Sequence, residues 1–187
     1  GDEGALAPRY TGFSSNGISG LIFKGNRGRY LRRLFDSEGG GGTRFTLILG
    51  NNIKDCGNGL GAHWGGANLV HMNNVIGNSG GAIGGRSTNI WLLNNVVRSC
   101  RDGGGMGMGT GPGLGLQQNG TFMAKGNIFD YVGSGFRITN DAGDIDISDN
   151  YVTCSEFGVL INGYRMGNIN IRNNVFRHLP YTFGPRG

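Results

Sequence analysis

Apolar residues in this chain alternate with polar ones over short runs, and the runs recur about every 23 residues. Alternation with a period of two is the signature of a half-buried strand rather than a helix. Asn51, Asn74, Asn95, Asn127, Asn150 and Asn174 mark equivalent points, separated by steps of 23, 21, 32, 23 and 24 residues. Just before the Asn stands a run such as Asn89-Ile90-Trp91-Leu92, Asp144-Ile145-Asp146-Ile147 or Asn168-Ile169-Asn170-Ile171. Two places after it stands a single apolar residue, in turn Ile53, Ile76, Val97, Phe129, Val152 and Phe176. A third run starts at glycine, as in Gly59-Leu60-Gly61-Ala62, Gly113-Leu114-Gly115-Leu116, Gly135-Phe136-Arg137-Ile138 and Gly158-Val159-Leu160-Ile161. Three strands joined by tight Asn and Gly turns close one coil, and a fixed period of this length is the mark of a solenoid.

The pattern divides the chain into residues 1–44, an amino-terminal cap or first irregular coil; residues 45–178, the coils; and residues 179–187, a tail or the start of a continuation. In the first segment, Arg27, Arg29, Arg32 and Arg33 with Tyr30, Leu31 and Leu34 read as a short amphipathic piece closing that end, followed by a flexible Gly39–Gly42 stretch. The 32-residue step between Asn95 and Asn127 holds an insertion at 102–112, including Gly103-Gly104-Gly105-Met106-Gly107. It reads as a tolerated loop, lid or binding loop, and it is not a phosphate loop because no Lys-Ser/Thr follows. An uncovered carboxy end would expose strand edges, so another segment, another subunit or a longer chain should cover it.

Forty glycines and a hydrophobic fraction of 37% argue against helical and doubly wound folds, which need longer apolar runs, and the absence of a strict period of three excludes collagen. No stretch reaches the roughly 18–20 apolar residues of a membrane span, and Gly1-Asp2-Glu3 does not begin a signal peptide, so the chain reads as a mature protein or an excised piece. Seventeen Lys and Arg against twelve Asp and Glu, a net +5, favour an anionic partner.

With the asparagines in register, the chain resembles the pectate-lyase-like right-handed parallel β-helices, whose coils stack asparagines in one turn; the resemblance covers about residues 45–178. The expected fold is therefore an all-β, right-handed, single-stranded parallel β-helix with three strands per coil. An Asn in a buried turn tolerates left-handed backbone angles, and its amide can bond its equivalents above and below. Cys56, Cys100 and Cys154 follow their ladder asparagines by five, five and four residues and fall on one wall in alternate coils. Coils stacked at about 4.8 Å leave them about 10 Å apart, beyond disulfide reach, so three free buried thiols are expected.

In such a solenoid the inward residues make the core, and function belongs to one outer wall and its loops. Taking Leu60, Ala62, Leu114, Leu116, Phe136, Ile138, Val159 and Ile161 as inward leaves a polar set outward on the glycine-led wall. It comprises His63, Trp64, Arg86, Gln117, Gln118, Arg137, Thr139, Asn140, Asp141, Asn162, Tyr164 and Arg165. Of these, Trp64, Arg86, Gln117, Asn140, Asp141, Asn162, Tyr164 and Arg165 are the candidate substrate-binding residues. Guanidinium groups fork carboxylates and aromatic rings pack on sugar faces, so the set suits an acidic polysaccharide. The resemblance implies β-elimination, in which Arg137 takes the proton beside a uronate carboxylate while His63 and Arg86 neutralise that carboxylate. No acidic cluster matches the calcium sites of many such lyases, and neither a metal nor another cofactor is expected. Glycoside hydrolysis needs two facing carboxylates, and the wall offers mainly Asp141, with Asp102 and Glu156 displaced. His63, His71 and His178 fall on different walls, with His71 inward in the core. Asn119-Gly120-Thr121 matches a glycosylation acceptor, a motif short enough to occur by chance.

A second surface carries a different expectation. Val75, Val96, Ile128, Tyr151 and Val175, each directly after a ladder Asn, should face outward, as should Val70, Met72, Trp91, Leu93 and Met123 on the preceding strands. Apolar exterior stripes mark self-association or a covering segment. Two readings follow: a secreted or cell-surface β-helix that binds or cleaves an acidic polysaccharide, as a lyase if it is catalytic, or a structural subunit of a fibre, spike or shell.

Overall fold

The computed structural model of the chain describes residues 10–15, 17–37, 44–79, 81–83, 86–87, 89–100, 120–139, 143–162 and 167–178, with the backbone alone at 36, 37, 58, 61–67, 81, 82, 86, 87, 137, 139 and 162. The strands form three walls, and the pairing within each is parallel. The first wall holds β2 (Ile22–Lys24), β5 (Arg44–Leu49), the second half of β7 (Asn58–Met72), β11 (Ile90–Leu93), β13 (Phe122–Lys125), β16 (Ile145–Ser148) and β19 (Ile169–Arg172). The second holds β3 (Arg27–Arg29), β6 (Asn52–Lys54), β8 (Val75–Gly77), β12 (Val96–Arg98), β14 (Ile128–Val132), β17 (Tyr151–Cys154) and β20 (Val175–His178). The third holds β1 (Thr11–Ser14), β4 (Arg33–Ser37), the first half of β7 and β9 (Gly81–Ile83), then β15 (Phe136–Thr139) paired with β18 (Val159–Asn162). Short β10 (Arg86–Ser87) pairs with β7 where that strand passes from the third wall to the first. The expected all-β parallel solenoid, with three strands to the coil, is what the chain forms.

Side chains alternate along most of the strands of the first two walls, because in-register parallel pairing keeps each column of residues on one face, with bulges at β14–β17, β4–β7 and β10–β7. The second wall turns Ile53, Ile76, Val97, Phe129 and Val152 inward, all essentially without solvent contact. On the first wall Ile48, His71, Leu92, Ala124 and Ile147 share one inward column, with His71 fully buried as the alternation requires. Leu60, Phe136 and Ile138 of the third wall are buried, and Val159 and Ile161 pack against the core; Leu114 and Leu116 lie outside the described residues. In the last described coil, Ile169, Ile171 and Phe176 continue inward columns yet stand 48%, 44% and 43% exposed, because no further described coil stacks on them.

The asparagine ladder is complete in its hydrogen bonding. Each Oδ1 accepts two bonds from the coil before it: Asn95 Oδ1, for example, takes the Asn74 backbone N–H at 3.1 Å and the Asn74 Nδ2 at 3.0 Å. From Asn51 to Asn150 each Nδ2 donates forward to the next Asn and back to a first-wall carbonyl, as Asn95 does to Asn127 Oδ1 at 3.0 Å and His71 O at 3.0 Å, and Asn174 ends the column with its bond back to Ile147 O. Both amide hydrogens and both lone pairs are therefore used, which is what makes a buried polar column tolerable. One expectation is corrected. The left-handed backbone belongs to the residue before the ladder Asn, namely Gly25, Gly50, Asn73, Asn94, Gly126, Asp149 and Asn173, with φ between 53° and 69°. Turning the chain one residue early lets the ladder Asn itself project into the interior.

The ladder also begins earlier than the Asn-x-apolar pattern indicates, because Asn26 donates from its backbone N (2.9 Å) and Nδ2 (3.0 Å) to Asn51 Oδ1. The inward position two places later is Gly28, and the space is filled by Leu34, whose Cδ1 lies 2.9 Å from where a Gly28 Cβ would stand. Phe13, Phe23 and Phe35 close this end, with ring centroids 5.0–5.7 Å apart. Residues 39–42 and 102–112 lie outside the described residues.

Candidate functional site

On the third wall, the residues singled out from the sequence are placed by backbone alone. Arg86 stands opposite Trp64 on neighbouring coils, and His63 opposite Ser37. Arg137 pairs with Leu160, and Thr139 with Asn162, in the β15–β18 pair. Arg86 and Arg137 belong to coils two apart, which sets them roughly 10 Å apart along the axis. Gln117, Gln118, Asn140, Asp141, Tyr164 and Arg165 lie outside the described residues.

A concave site built by described side chains is at the amino-terminal end, where the second wall turns toward the third. Tyr30, Asp55, Asn78, Ser99 and Tyr131 occupy equivalent turn positions there, all left-handed with φ between 47° and 57°. Left-handed backbone suits Asp and Asn, whose short polar groups bond locally. Asp55 accepts from Asn78 Nδ2 at 2.6 Å on one oxygen and from Arg29 Nε at 2.9 Å on the other. These two bonds, Asn78 first and Arg29 second, lower the Asp55 pKa, and the bond to Asp55 raises that of Arg29. The Arg29 guanidinium lies 4.7 Å from the centre of the Tyr30 ring, and Tyr30 is 65% exposed. A concavity of about 680 Å³ is bounded by Arg29, Tyr30, Lys54, Asp55, Cys56, Gly57 and Asn78.

Register extends this site along the axis. Arg29, Lys54, Gly77, Arg98 and Asp130 pair in sequence across β3, β6, β8, β12 and β14, so three cations share one outward column. Among the described residues Lys54 and Arg98 make no ion pair, while Arg29 is held by Asp55. Sequence reasoning placed Arg29 and Tyr30 in a capping segment and did not single out Lys54, Asp55 or Asn78. The signal was present: each left-handed turn residue follows its ladder Asn by four, from Asn26 and Tyr30 to Asn127 and Tyr131. Among the described residues, no three His, Cys, Asp or Glu side chains group as a metal site.

The three cysteines are free and buried. Ser79 intervenes between Cys56 and Cys100, its Oγ accepting the Cys56 backbone N–H at 3.3 Å, and Val132 is the direct strand partner of Cys154. Alternate placement keeps the thiols apart, as their sequence offsets require. Burial pushes Cys100 from 9.0 up to about 11. At pH 8 its thiolate fraction is then about one hundredth of that in the unfolded chain. Alkylation of Cys100 by iodoacetamide, followed by peptide mass analysis, is expected to be at least about a hundredfold slower in the native protein than in urea. Because the folded pKa is the higher one, this thiol's contribution to stability is full below pH 9.0 and is lost as pH rises toward about 11.

The apolar exterior stripes are present. Val75, Ile128 and Val175 are exposed and Val96 and Tyr151 half-buried on the second wall; Trp91 and Met123 are exposed and Val70, Met72 and Leu93 half-buried on the first. The two stripes flank the corner whose inner side carries the asparagine ladder.

A family model described as a right handed beta helix region matches residues 35–181. No curated protein and no solved structure was found to match the chain.

Proposed function

The chain belongs to the right-handed β-helix family, and from that premise we propose that it binds an acidic polysaccharide lengthwise on the outside of its coils. The observation that carries this reading is the outward column Arg29, Lys54 and Arg98, of which Lys54 and Arg98 make no ion pair among the described residues, running beside the exposed Tyr30 and Tyr131. Coils repeat at about 4.8 Å, so Arg29 and Lys54 on adjacent coils, and Arg98 beyond Gly77, meet charges along a linear polyanion without the chain having to bend. Arginine and lysine supply charge-assisted bonds to carboxylates, and tyrosine supplies an apolar face with a polar edge. Where the bound glycan is cleaved, Arg137 is the proposed base of a β-elimination, with Arg86 and His63, two and three coils nearer the amino terminus, meeting carboxylates of other residues along the same glycan.

Gel retardation against pectate, alginate, glycosaminoglycan and neutral dextran, with absorbance read at the unsaturated-uronate band, tests the reading. Retention is expected on an acidic gel and not on dextran, and it is weakened when Arg29, Lys54 and Arg98 are all changed to Gln. Absorbance that rises with wild type and not with Arg137→Ala makes the protein a lyase. Retention without absorbance leaves a binding protein, and no retention on any acidic gel contradicts the proposal. The apolar stripes favour a second reading, a structural β-helix subunit whose copies associate through the Val75, Val96, Ile128, Tyr151 and Val175 wall. An oligomer in sedimentation together with glycan silence would place the protein there.

A further inference from the structure

We infer that the concavity at the amino-terminal corner is a subsite for a single uronate ring, with the carboxylate on Lys54 and Arg29, the hydroxyls on Asp55 and Asn78, and a ring face on Tyr30. The inference rests on the acidic-glycan reading and specifies it, since it assigns one recognition point on an otherwise repetitive surface.

The charge inventory selects the ligand. Arg29 gives its Nε to Asp55, which leaves its terminal guanidinium nitrogens as donors. Lys54 adds an ammonium that makes no ion pair among the described residues. With Arg29 and Asp55 cancelling, the site has one uncompensated positive charge, which matches a monoanion. A phosphate is disfavoured, because its second charge faces the Asp55 carboxylate and the Asn78 carbonyl oxygen. Those same oxygens accept from sugar hydroxyls, which a bare anion does not possess.

Geometry selects for a ring rather than a flexible acid. Asp55 is fixed from both sides by Asn78 at 2.6 Å and Arg29 at 2.9 Å, so its acceptor directions are set before any ligand arrives. The Arg29 guanidinium lies 4.7 Å from the centre of the Tyr30 ring, while Tyr30 as a residue is exposed and can offer ring surface to the C–H face of a pyranose. The concavity is shallow and open to solvent, which leaves a ring seated there free to continue into a longer glycan on either side. The three turn residues involved recur at a fixed offset from the ladder, so rigid stacked coils hold the site rather than a loop.

Calorimetric titration of the full chain with trigalacturonate, maltotriose and sodium sulfate tests this. Trigalacturonate is expected to bind, and both Lys54→Gln and Tyr30→Ala to weaken it about tenfold, with thermal melting confirming that each variant folds. Maltotriose and sulfate are expected to give no comparable heat. If trigalacturonate binds wild type and both variants equally, the subsite is wrong while acidic-glycan binding stands. If sulfate binds as tightly as trigalacturonate, the corner is a general anion site and the inference fails. If no acidic sugar, short or polymeric, binds, the inference fails together with the function it rests on.

Discussion

Replacing Asn127 by alanine is expected to destabilise the protein by about 3–5 kcal/mol. Asn127 Oδ1 accepts the backbone N–H and the Nδ2 of Asn95, each at 3.0 Å, and its Nδ2 donates to Leu92 O and Asn150 Oδ1, each at 2.9 Å. Alanine leaves two buried donors on Asn95 and the Leu92 carbonyl without that partner, and each stranded group costs about 1–3 kcal/mol. Asn150 Oδ1 keeps one bond, from the Asn127 backbone N at 2.9 Å, which limits the loss. For a chain of this length the change lowers Tm by roughly 6–20 °C. Asn52→Ala, one position outside the ladder on an exposed side chain, is expected to stay within about 0.5 kcal/mol. Urea unfolding of the pair reads the difference directly. Equal midpoints would show that the amide column is not a main source of stability.

Phe136→Ala is expected to cost a similar amount, about 3–5 kcal/mol, for a different reason. Phe136 is fully buried, with its ring centroid 4.9 Å from that of Phe129 and 6.4 Å from that of Phe122, so one ring joins the third wall to the other two. Its removal opens a cavity that neighbouring backbone does not readily fill, since β13 and β14, which carry Phe122 and Phe129, are each held by parallel pairing on both sides and β15 by its pairing with β18. A solenoid couples each coil only to its neighbours, so a weakened coil is also expected to broaden the urea transition. A sharp transition at the wild-type midpoint would mean that the aromatic junction is not needed to hold the walls together.

Much of the fold was legible because the physics repeats. Six ladder asparagines, the inward apolar residue two places later and the free thiols in alternate coils all follow from strand alternation applied to one period. Asn26 escaped because its inward position is Gly28, and the filling group, Leu34, comes from a different wall, a packing solution that no local pattern reveals. Which turn residue is left-handed escaped for another reason. Both Asn73 and Asn74 tolerate that conformation, and only the need to aim one amide into the core decides between them. The corner site was hidden because its residues, Arg29, Tyr30, Lys54, Asp55 and Asn78, come from three successive coils and share no motif beyond their offset from the ladder. The third-wall candidates rest on the outward reading of the glycine-led strands, where the backbone brings Arg86 beside Trp64.

Equilibrium binding of the full chain to polygalacturonate and to a neutral glucan, each at low and high salt, decides whether the outer face of the coils recognises acidic glycans. Binding to polygalacturonate alone is expected, weakening as salt screens the Arg29, Lys54 and Arg98 column. Equal affinity for both polymers, or no binding to polygalacturonate at low salt, would contradict it.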